Sequence, residues 1–229
     1  MNGMTSKIIL VVLFVVSMLL FSFRYDKKKK VLFFGDSITQ LGMNPGGYIK
    51  RIDSLIKMEG LDNQYETIGS GISGNKVYDL YLRIEEDVLS KSPDIVVIYI
   101  GVNDVWHKTS AGTGTDYDKF GKFYQAVVRK LTDAHIKVII CTPAVIGEKF
   151  DNTNMQDGDM NLYSNWIRNF ANNNNLPLVD LRKLFIDYNS KHNTANADRG
   201  ILTADRVHLN AAGNELVAEE MWKVIKAVK

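Results

Sequence analysis

The sequence predicts an α/β fold in which helices cover both faces of a parallel sheet. Two observations support this prediction: the chain contains five short, continuous apolar segments, and amphipathic stretches separate them. Strands of a parallel sheet are buried on both faces, so they are uniformly apolar instead of alternating. An alternation of such strands with helices is typical of a parallel sheet. A chain of 229 residues is long enough for one ordinary domain with a sizeable core.

The predicted strands are short runs of apolar residues. The strongest of them covers residues 95–100 and contains no charged residue. The fourth is stopped by Pro143, because proline lacks the N–H that a central strand needs. In chain order, the five strands are predicted at residues 31–35, 65–68, 95–100, 138–141 and 178–181.

Between the strands, apolar residues recur every three or four positions, which predicts amphipathic helices. The first such stretch carries Ile49, Ile52 and Ile56 and ends at Gly60, a residue type that is common just after a helix. The predicted helices are residues 48–60, 75–89, 117–134, 162–171, 182–188 and 211–228. Irregular loops are predicted at residues 102–115, 144–159 and 190–204.

Charge is distributed unevenly along the chain. The formal net charge is +2, but residues 1–30 hold six basic residues and one acidic residue and so carry +5. The remaining residues therefore carry −3. Because the predicted domain has no overall basic excess, its composition does not indicate nucleic-acid binding.

Residues 1–30 are predicted to be a signal peptide or a membrane anchor with a basic tether. Residues 8–23 are uncharged and apolar except for two serines. As a helix they would span about 24 Å, less than a hydrocarbon core of about 30 Å. Most basic residues follow this segment, which by the positive-inside rule favours a cytoplasmic domain. The alternative, which we favour, is export of a domain spanning residues 31–229 to the cell envelope, the periplasm or the medium.

Three glycine-containing segments directly follow the first three predicted strands, at residues 35–37, 69–71 and 101–103. Ligands of open parallel sheets bind beyond the carboxyl ends of the strands, so we expect these segments to converge. Ser37 is then placed to act as a nucleophile. The alternative interpretation is that Asp36 or Ser37 caps the turn or helix that follows.

Asp205 precedes His208 by three residues near the other end of the chain. A carboxylate at this spacing in a loop can reach Nδ1 of the histidine and leave Nε2 free to face a serine. Serine, aspartate and histidine in this order can supply a nucleophile, a group that orients the base, and the base. The alternative is a surface histidine close to the start of the last helix.

Further candidates follow the third strand. The side-chain amide of Asn103 could face a developing oxyanion, or it could satisfy the backbone of a turn. Trp106 could line a substrate pocket or pack the loop, and Asp36 is a second candidate for that pocket.

Residues 69–74 also match Gly-x-Gly-x-x-Gly, which favours a competing dinucleotide-binding interpretation. This motif follows the second strand instead of the first, and no acidic residue ends the next strand. A backbone N–H that approaches a substrate also requires glycine, so the same segment suits an oxyanion hole.

Several other sites are not indicated. The sequence contains no P-loop motif, no His-Glu-x-x-His and no paired cysteines, and residues 151–159 do not fit the spacing of a calcium loop. The Gly-x-Ser-x-Gly elbow of α/β-hydrolases is also absent. Cys141 is the single cysteine and lies in a predicted strand, so we interpret it as a small core residue.

Taken together, these segments resemble the SGNH (GDSL) hydrolase family of serine esterases and lipases. Gly69 departs from the asparagine that the family often has, whereas Gly71 is retained. The resemblance covers essentially all of residues 31–229. The matching blocks are residues 34–39, residues 69–74, residues 101–104, and Asp205 with His208.

The resemblance implies a flavodoxin-like three-layer sandwich with a five-stranded parallel sheet in the order 2-1-3-4-5. It also implies that Ser37 attacks an ester carbonyl, that His208 takes its proton, and that Asp205 orients His208. The backbone N–H groups of Ser37 and Gly71 and the side chain of Asn103 would bind the oxyanion. No metal or organic cofactor is implied.

The resemblance does not identify one substrate class, since the family includes carbohydrate deacetylases, lysophospholipases and thioesterases. The short intervals between the blocks leave little room for a large lid. We therefore expect a small-molecule or glycan ester with a short acyl group, and acetyl esters of a carbohydrate in particular. The alternatives are activity on longer acyl chains and a non-catalytic module that binds a dinucleotide or a glycan. Contact with a membrane is expected only through the N-terminal segment.

Overall fold

The computed structural model describes residues 27–228 and contains, among them, one five-stranded sheet in the order β2-β1-β3-β4-β5. All neighbouring strands are parallel. The predicted α/β fold and its strand order are therefore confirmed. The strands are β1 (Lys29–Gly35), β2 (Tyr65–Gly71), β3 (Ile95–Tyr99), β4 (Lys137–Cys141) and β5 (Leu178–Val179).

Helices connect the strands and pack around the sheet. Helix α2 contacts α8, and α3 contacts α5. The helices are α1 (Ser37–Gly42), α2 (Tyr48–Met58), α3 (Val77–Asp87), α4 (Val102–Ser110), α5 (Tyr117–Asp133), α6 (Asp157–Asn173), α7 (Leu181–His192) and α8 (Ala211–Ala227), with a 3-10 turn at Leu89–Lys91.

The core forms as the apolar pattern predicts. Every residue of β3 is buried, as are the apolar residues of β1 from Val31 onward, because helices cover the sheet. Helix α2 buries Ile49, Ile52 and Ile56, which lie on one side at helical spacing. Cys141 is fully buried within this core, as predicted.

The register of the central strands brings their carboxyl ends level. Gly35 at the end of β1 pairs with Gly71 of β2 on one side and with Tyr99 of β3 on the other. The residues that follow these three strands therefore emerge at the same edge of the sheet, as expected.

Two segments predicted as loops contain helices. Residues 102–110 form α4, which starts directly after Gly101, whose φ of 124° allows a sharp turn out of the strand. The spacing of apolar residues did not predict this helix, because only Val102 and Val105 contribute buried apolar side chains to it. Helix α6 starts at Asp157 instead of residue 162, and acidic residues in its first turn are favourable at a helix N-terminus.

The other differences are at the edge of the sheet and at the N-terminus. Strand β5 covers only two residues, and Leu181, predicted as strand, starts α7 after the Asp180 cap. The predicted targeting segment lies outside the described residues except for Lys27–Lys30, and so it stays a prediction. Between residues 27 and 228, none of the helices is both long and apolar enough to span a bilayer.

Candidate active site

Ser37 is the first residue of α1, at the point where β1 turns into this short helix. The turn is tight, because a Cβ at Gly35 would collide with Thr39 Oγ1 and the carbonyl oxygen of Tyr99. Asp36 caps the helix, since its Oδ1 accepts a hydrogen bond from the Ile38 N–H at 2.9 Å. The capping interpretation is therefore correct for Asp36, and this cap restrains the turn that carries Ser37.

The structure brings Ser37 together with His208 and Asp205. Ser37 Oγ lies 2.9 Å from His208 Nε2, and His208 Nδ1 lies 2.7 Å from Asp205 Oδ2. The second carboxylate oxygen of Asp205 accepts the backbone N–H groups of Val207, at 3.1 Å, and of His208, at 2.8 Å. Asp205 thus holds both the ring and the backbone of His208.

The charge on Asp205 favours the form of His208 that can accept a proton from Ser37. Partial burial of Asp205 opposes its ionisation, but the hydrogen bonds from the His208 ring and from two backbone N–H groups hold its pKa below the usual range. An ionised carboxylate at Nδ1 favours the tautomer with the proton on that nitrogen. His208 Nε2 is then free to accept the proton of the Ser37 hydroxyl.

A buried glutamate that sequence reasoning missed supports the segment that carries Asp205 and His208. Glu148 is 1% exposed, and its carboxylate accepts the N–H groups of Ile201 at 2.8 Å, Leu202 at 2.6 Å and Thr203 at 2.7 Å. Its partners lie 53 to 55 residues away, so no local pattern indicates them. Glu148 thus anchors the backbone at residues 201–203, shortly before Asp205 and His208.

Gly71 lies against the backbone of residues 36–40, which includes the start of α1. A Cβ at this position would collide with the backbone N of Gln40 and the carbonyl oxygen of Asp36, so only glycine allows β2 to end here. The following residue, Ile72, donates its N–H to the Gly35 carbonyl at 3.2 Å. The structure therefore places Gly71 beside the turn that contains Ser37.

Asn103 lies in the first turn of α4 and is 2% exposed. Its Nδ2 donates to the Asn75 carbonyl at 3.1 Å. A carboxamide nitrogen carries two hydrogens, and this contact uses one of them. The adjacent Asp104 is fully buried and accepts the Val77 N–H at 3.2 Å, so it caps α3. These two contacts tie α4 to the end of the loop after β2 and to the first residue of α3.

The two candidates for the substrate pocket have different positions. Asp36 is 1% exposed, and its carboxylate binds the backbone N–H of Ile38. It therefore does not line a pocket, contrary to the expectation that it contributes to the substrate pocket. Burial also raises its pKa to about 7. Trp106 is half-buried and lines an open cavity of about 370 Å³. The other lining residues are Thr109, Lys149, Thr153, Asn154, Met155, Gln156, Asp198 and Arg206.

The geometry of residues 69–74 does not favour the dinucleotide interpretation. A Cβ at Gly69 would collide with the side chain of Met43, and the space beside Gly71 is filled by the backbone of α1. These glycines allow protein segments to approach each other, whereas a dinucleotide site requires open space over the loop for a pyrophosphate. Among the described residues, no group of three or more His, Cys, Asp or Glu side chains could hold a metal ion.

Comparisons with known proteins agree with this geometry. The chain matches the model of the GDSL-like lipase/acylhydrolase family over residues 33–216. An acetylxylan esterase from Geobacillus stearothermophilus is 31% identical over 215 residues, which cover 86% of this chain and 94% of that protein. A crystal structure of an acetyl xylan esterase, AlAXEase, is 62% identical with a TM-score of 0.84, and covers 87% of this chain and 100% of that one.

A solved structure of a variant of an acetyl xylan esterase from Geobacillus stearothermophilus is 27% identical, with a TM-score of 0.76 over 86% of this chain and 94% of that one. Other structures of that enzyme are described as catalytic mutants, in which a serine, an aspartate or a histidine is replaced.

Proposed function

The chain belongs to the GDSL-like lipase/acylhydrolase family and is a carboxylic ester hydrolase, and on this premise we propose that it removes acetyl groups from xylan or xylo-oligosaccharides. The observation that carries the proposal is the chain of contacts from Ser37 to His208 to Asp205, at 2.9 and 2.7 Å. Relatives described as acetylxylan esterases, and catalytic mutants with replacements of the same three residue types, support it.

The first half of the proposed reaction acylates Ser37. Its Oγ attacks the acetyl carbonyl carbon while His208 Nε2 takes the hydroxyl proton. The carbonyl π electrons move to oxygen, so the intermediate is a tetrahedral oxyanion. When it collapses, the bond between the carbonyl carbon and the sugar oxygen breaks, and His208 returns its proton to that oxygen. The deacetylated sugar leaves and acetyl-Ser37 remains.

The second half repeats these steps with water as the nucleophile. His208 Nε2 takes a proton from the water molecule as its oxygen attacks the acetyl-Ser37 carbonyl. Collapse of the second oxyanion breaks the bond to Ser37 Oγ, which recovers its proton from His208, and acetic acid is released. Asp205 stays ionised throughout and stabilises the imidazolium in both halves.

The oxyanion is stabilised by groups that lie around the Ser37 turn. The N–H of Ser37 is in the first turn of α1, where the helix itself supplies no acceptor. We assign the second and third donors to the Gly71 N–H and the Asn103 amide, because Gly71 packs against the Ser37 turn and Asn103 starts the helix that follows β3, the strand paired with β1. Donors that are already oriented reduce the reorganisation that the transition state requires.

The proposed reaction is tested by Ser37→Ala. We expect this variant to lose at least about 10³-fold in kcat with p-nitrophenyl acetate and in acetate release from acetylated xylan, since the nucleophile is removed. Its melting temperature should stay near that of the wild type. Undiminished turnover would contradict the assignment of Ser37, and a wild-type preference for p-nitrophenyl octanoate over acetate would contradict the acetyl specificity.

A further inference from the structure

The guanidinium of Arg83, on α3, contacts the two segments that carry Ser37 and Gly71, and it also contacts Asn75, the residue that binds Asn103. Its Nη2 donates to the carbonyl oxygens of Gly35 at 2.8 Å and Ser70 at 3.0 Å. Its Nε donates to Asn75 Oδ1 at 2.7 Å. Gly35 directly precedes the Asp36–Ser37 turn, Ser70 precedes Gly71, and the Asn75 carbonyl accepts Asn103 Nδ2. We propose that Arg83 is a positioning residue that orients the oxyanion hole, an inference that rests on the proposed esterase function.

The contact with Ser70 acts on Gly71 through a single peptide group. The carbonyl of Ser70 and the N–H of Gly71 belong to the same planar unit, so a donor at this carbonyl restrains the direction of the N–H. A positive charge at the carbonyl also polarises the unit, which strengthens the N–H as a donor. Arg83 thus supports the Gly71 donor without touching the substrate.

The contact with Asn75 acts on Asn103. Arg83 holds the side chain of Asn75, and the Asn75 backbone carbonyl holds one hydrogen of the Asn103 amide. This second contact determines where the remaining hydrogen of the amide points, because the carboxamide is planar. The third contact, to the Gly35 carbonyl, restrains the backbone that leads into the Ser37 turn. One guanidinium therefore connects all three donors.

The guanidinium itself is well fixed. Nη1 donates to Asp87 Oδ2 at 2.6 Å and to Ser70 Oγ at 3.1 Å, so each of its five N–H groups has a partner. The group also lies 4.5 Å from the centre of the Phe34 ring, and the side chain is only 14% exposed. A lysine ammonium cannot span these directions, because it is a single point on a flexible stem.

The test compares Arg83→Lys and Arg83→Met with the wild type on p-nitrophenyl acetate. If Arg83 orients the oxyanion donors, kcat should fall by about 10- to 100-fold while KM changes less than about threefold, since the oxyanion is present in the transition state and not in the bound ester. The fraction of Ser37 that an organophosphate titrates should stay near one. Arg168→Met is the matched control, because Arg168 is also a half-buried arginine but pairs with Asp180, and it should keep the wild-type kcat.

A double-mutant cycle with Asn103→Ala separates positioning from a general structural role. In the Asn103→Ala background, Arg83→Met should cost clearly less in kcat than in the wild type, because one of the donors that it orients is already absent. If Arg83→Met fails to fold, the same cycle is run with Arg83→Lys, which keeps the charge. An equal loss in both backgrounds, or a loss confined to the titratable fraction of Ser37, would overturn the proposal.

The results that contradict the proposed esterase function differ from those that contradict the role of Arg83. A wild-type protein without acetate-ester turnover, or an active Ser37→Ala, would contradict the esterase assignment itself. Wild-type kcat in both Arg83 variants, together with an inactive Ser37→Ala, would overturn the role of Arg83 alone.

Discussion

Asp36 and Asp104 each lie beside a residue of the candidate site, and each binds the N–H of a helix's first turn. Asp36 accepts the N–H of Ile38 in α1, and Asp104 accepts the N–H of Val77, the first residue of α3. The neighbouring Ser37 and Asn103 therefore sit on backbone that a buried carboxylate restrains. Each motif therefore pairs one residue proposed for the chemistry, Ser37 or Asn103, with an aspartate that restrains its backbone.

We expect Trp106 to contact the sugar and not the acetyl group. It follows Asn103 by three residues on α4, so the cavity that it lines starts one helical turn from the proposed oxyanion hole. The polar side chains around that cavity, including Gln156 and Asn154, can hydrogen-bond sugar hydroxyls, and an aromatic face can pack against a sugar ring.

We predict that Trp106→Ala raises KM for acetylated xylo-oligosaccharides by about tenfold, equivalent to about 1.4 kcal/mol of lost binding. The variant should keep kcat/KM for p-nitrophenyl acetate within about twofold, because this small ester does not fill the cavity. Initial-rate kinetics on both substrates measure the difference. An equal loss on both would mean that Trp106 only packs α4.

At the scale of elements, the loop after β4 supports the loop that carries Asp205 and His208. Besides the three hydrogen bonds to the Glu148 carboxylate, the Glu148 N–H donates to Asp198 at 2.9 Å and the Gly147 N–H donates to Arg206 at 2.8 Å. Arg206 has a φ of 89°, a strained conformation for a residue with a Cβ. Contacts with the neighbouring loop therefore maintain a backbone that is unfavourable alone.

Glu148→Gln should disturb this pair of loops. An amide replaces one acceptor oxygen by an NH2 group, which would face backbone N–H donors, so we expect a loss of about 2 kcal/mol in unfolding free energy. We also expect at least a tenfold lower kcat, since His208 depends on the same segment. Urea denaturation and p-nitrophenyl acetate kinetics measure the two effects.

The matched control for this variant is Glu215→Gln. Glu215 forms an exposed ion pair with Arg51, and such pairs contribute at most about 1 kcal/mol. If Glu148→Gln were as mild as the control in both stability and kcat, Glu148 would not anchor the loop.

At the scale of the whole molecule, the site lies where the strand order reverses. Strand β2 lies on one side of β1, whereas β3, β4 and β5 follow on the other side, so the order in which strands are added reverses at β1. Segments that follow these three strands meet there, and the loop before α8 adds Asp205 and His208. This crevice is the usual ligand position in open parallel sheets. It also buries two carboxyl groups, which makes the stability of the fold depend on pH.

The contribution of Asp36 and Asp104 to stability should fall as pH rises through the window between about 4 and 7. Burial raises the pKa of Asp36 to about 7 and that of Asp104 to about 6, and the proximity of the two carboxyl groups adds to the rise for Asp36. In this window the folded protein binds protons that the unfolded chain has released, so raising the pH favours unfolding. The lowered pKa of Asp205 acts in the opposite direction, but only at more acidic pH.

We expect Asp36→Asn to reduce this dependence by at least about 1 kcal/mol between pH 5 and pH 8, because asparagine keeps the cap and carries no charge. Urea denaturation at several pH values measures it. Asp133→Asn, at an exposed position, should leave the dependence unchanged. Parallel curves for Asp36→Asn and the wild type would show that Asp36 does not cause the effect.

Most of the fold was predictable because its strands are uniformly apolar and its main helices have clear apolar stripes. Helix α4 was missed since its residues are mainly polar and its placement depends on Gly101 and on contacts of Asn103 and Asp104 with another loop. The roles of Glu148 and Arg83 could not be predicted, because their partners Leu202 and Gly35 lie 54 and 48 residues away.

By itself, the sequence determined the fold class and which residues were candidates for the chemistry. This was possible because burial of apolar runs is a local preference, and Ser37, Gly71 and Asn103 follow such runs directly. Only the tertiary structure decided that Ser37 meets His208 across 171 residues, and that Asp36 faces a helix instead of a pocket. Contacts of this kind depend on how whole elements pack, which no short segment of the chain encodes.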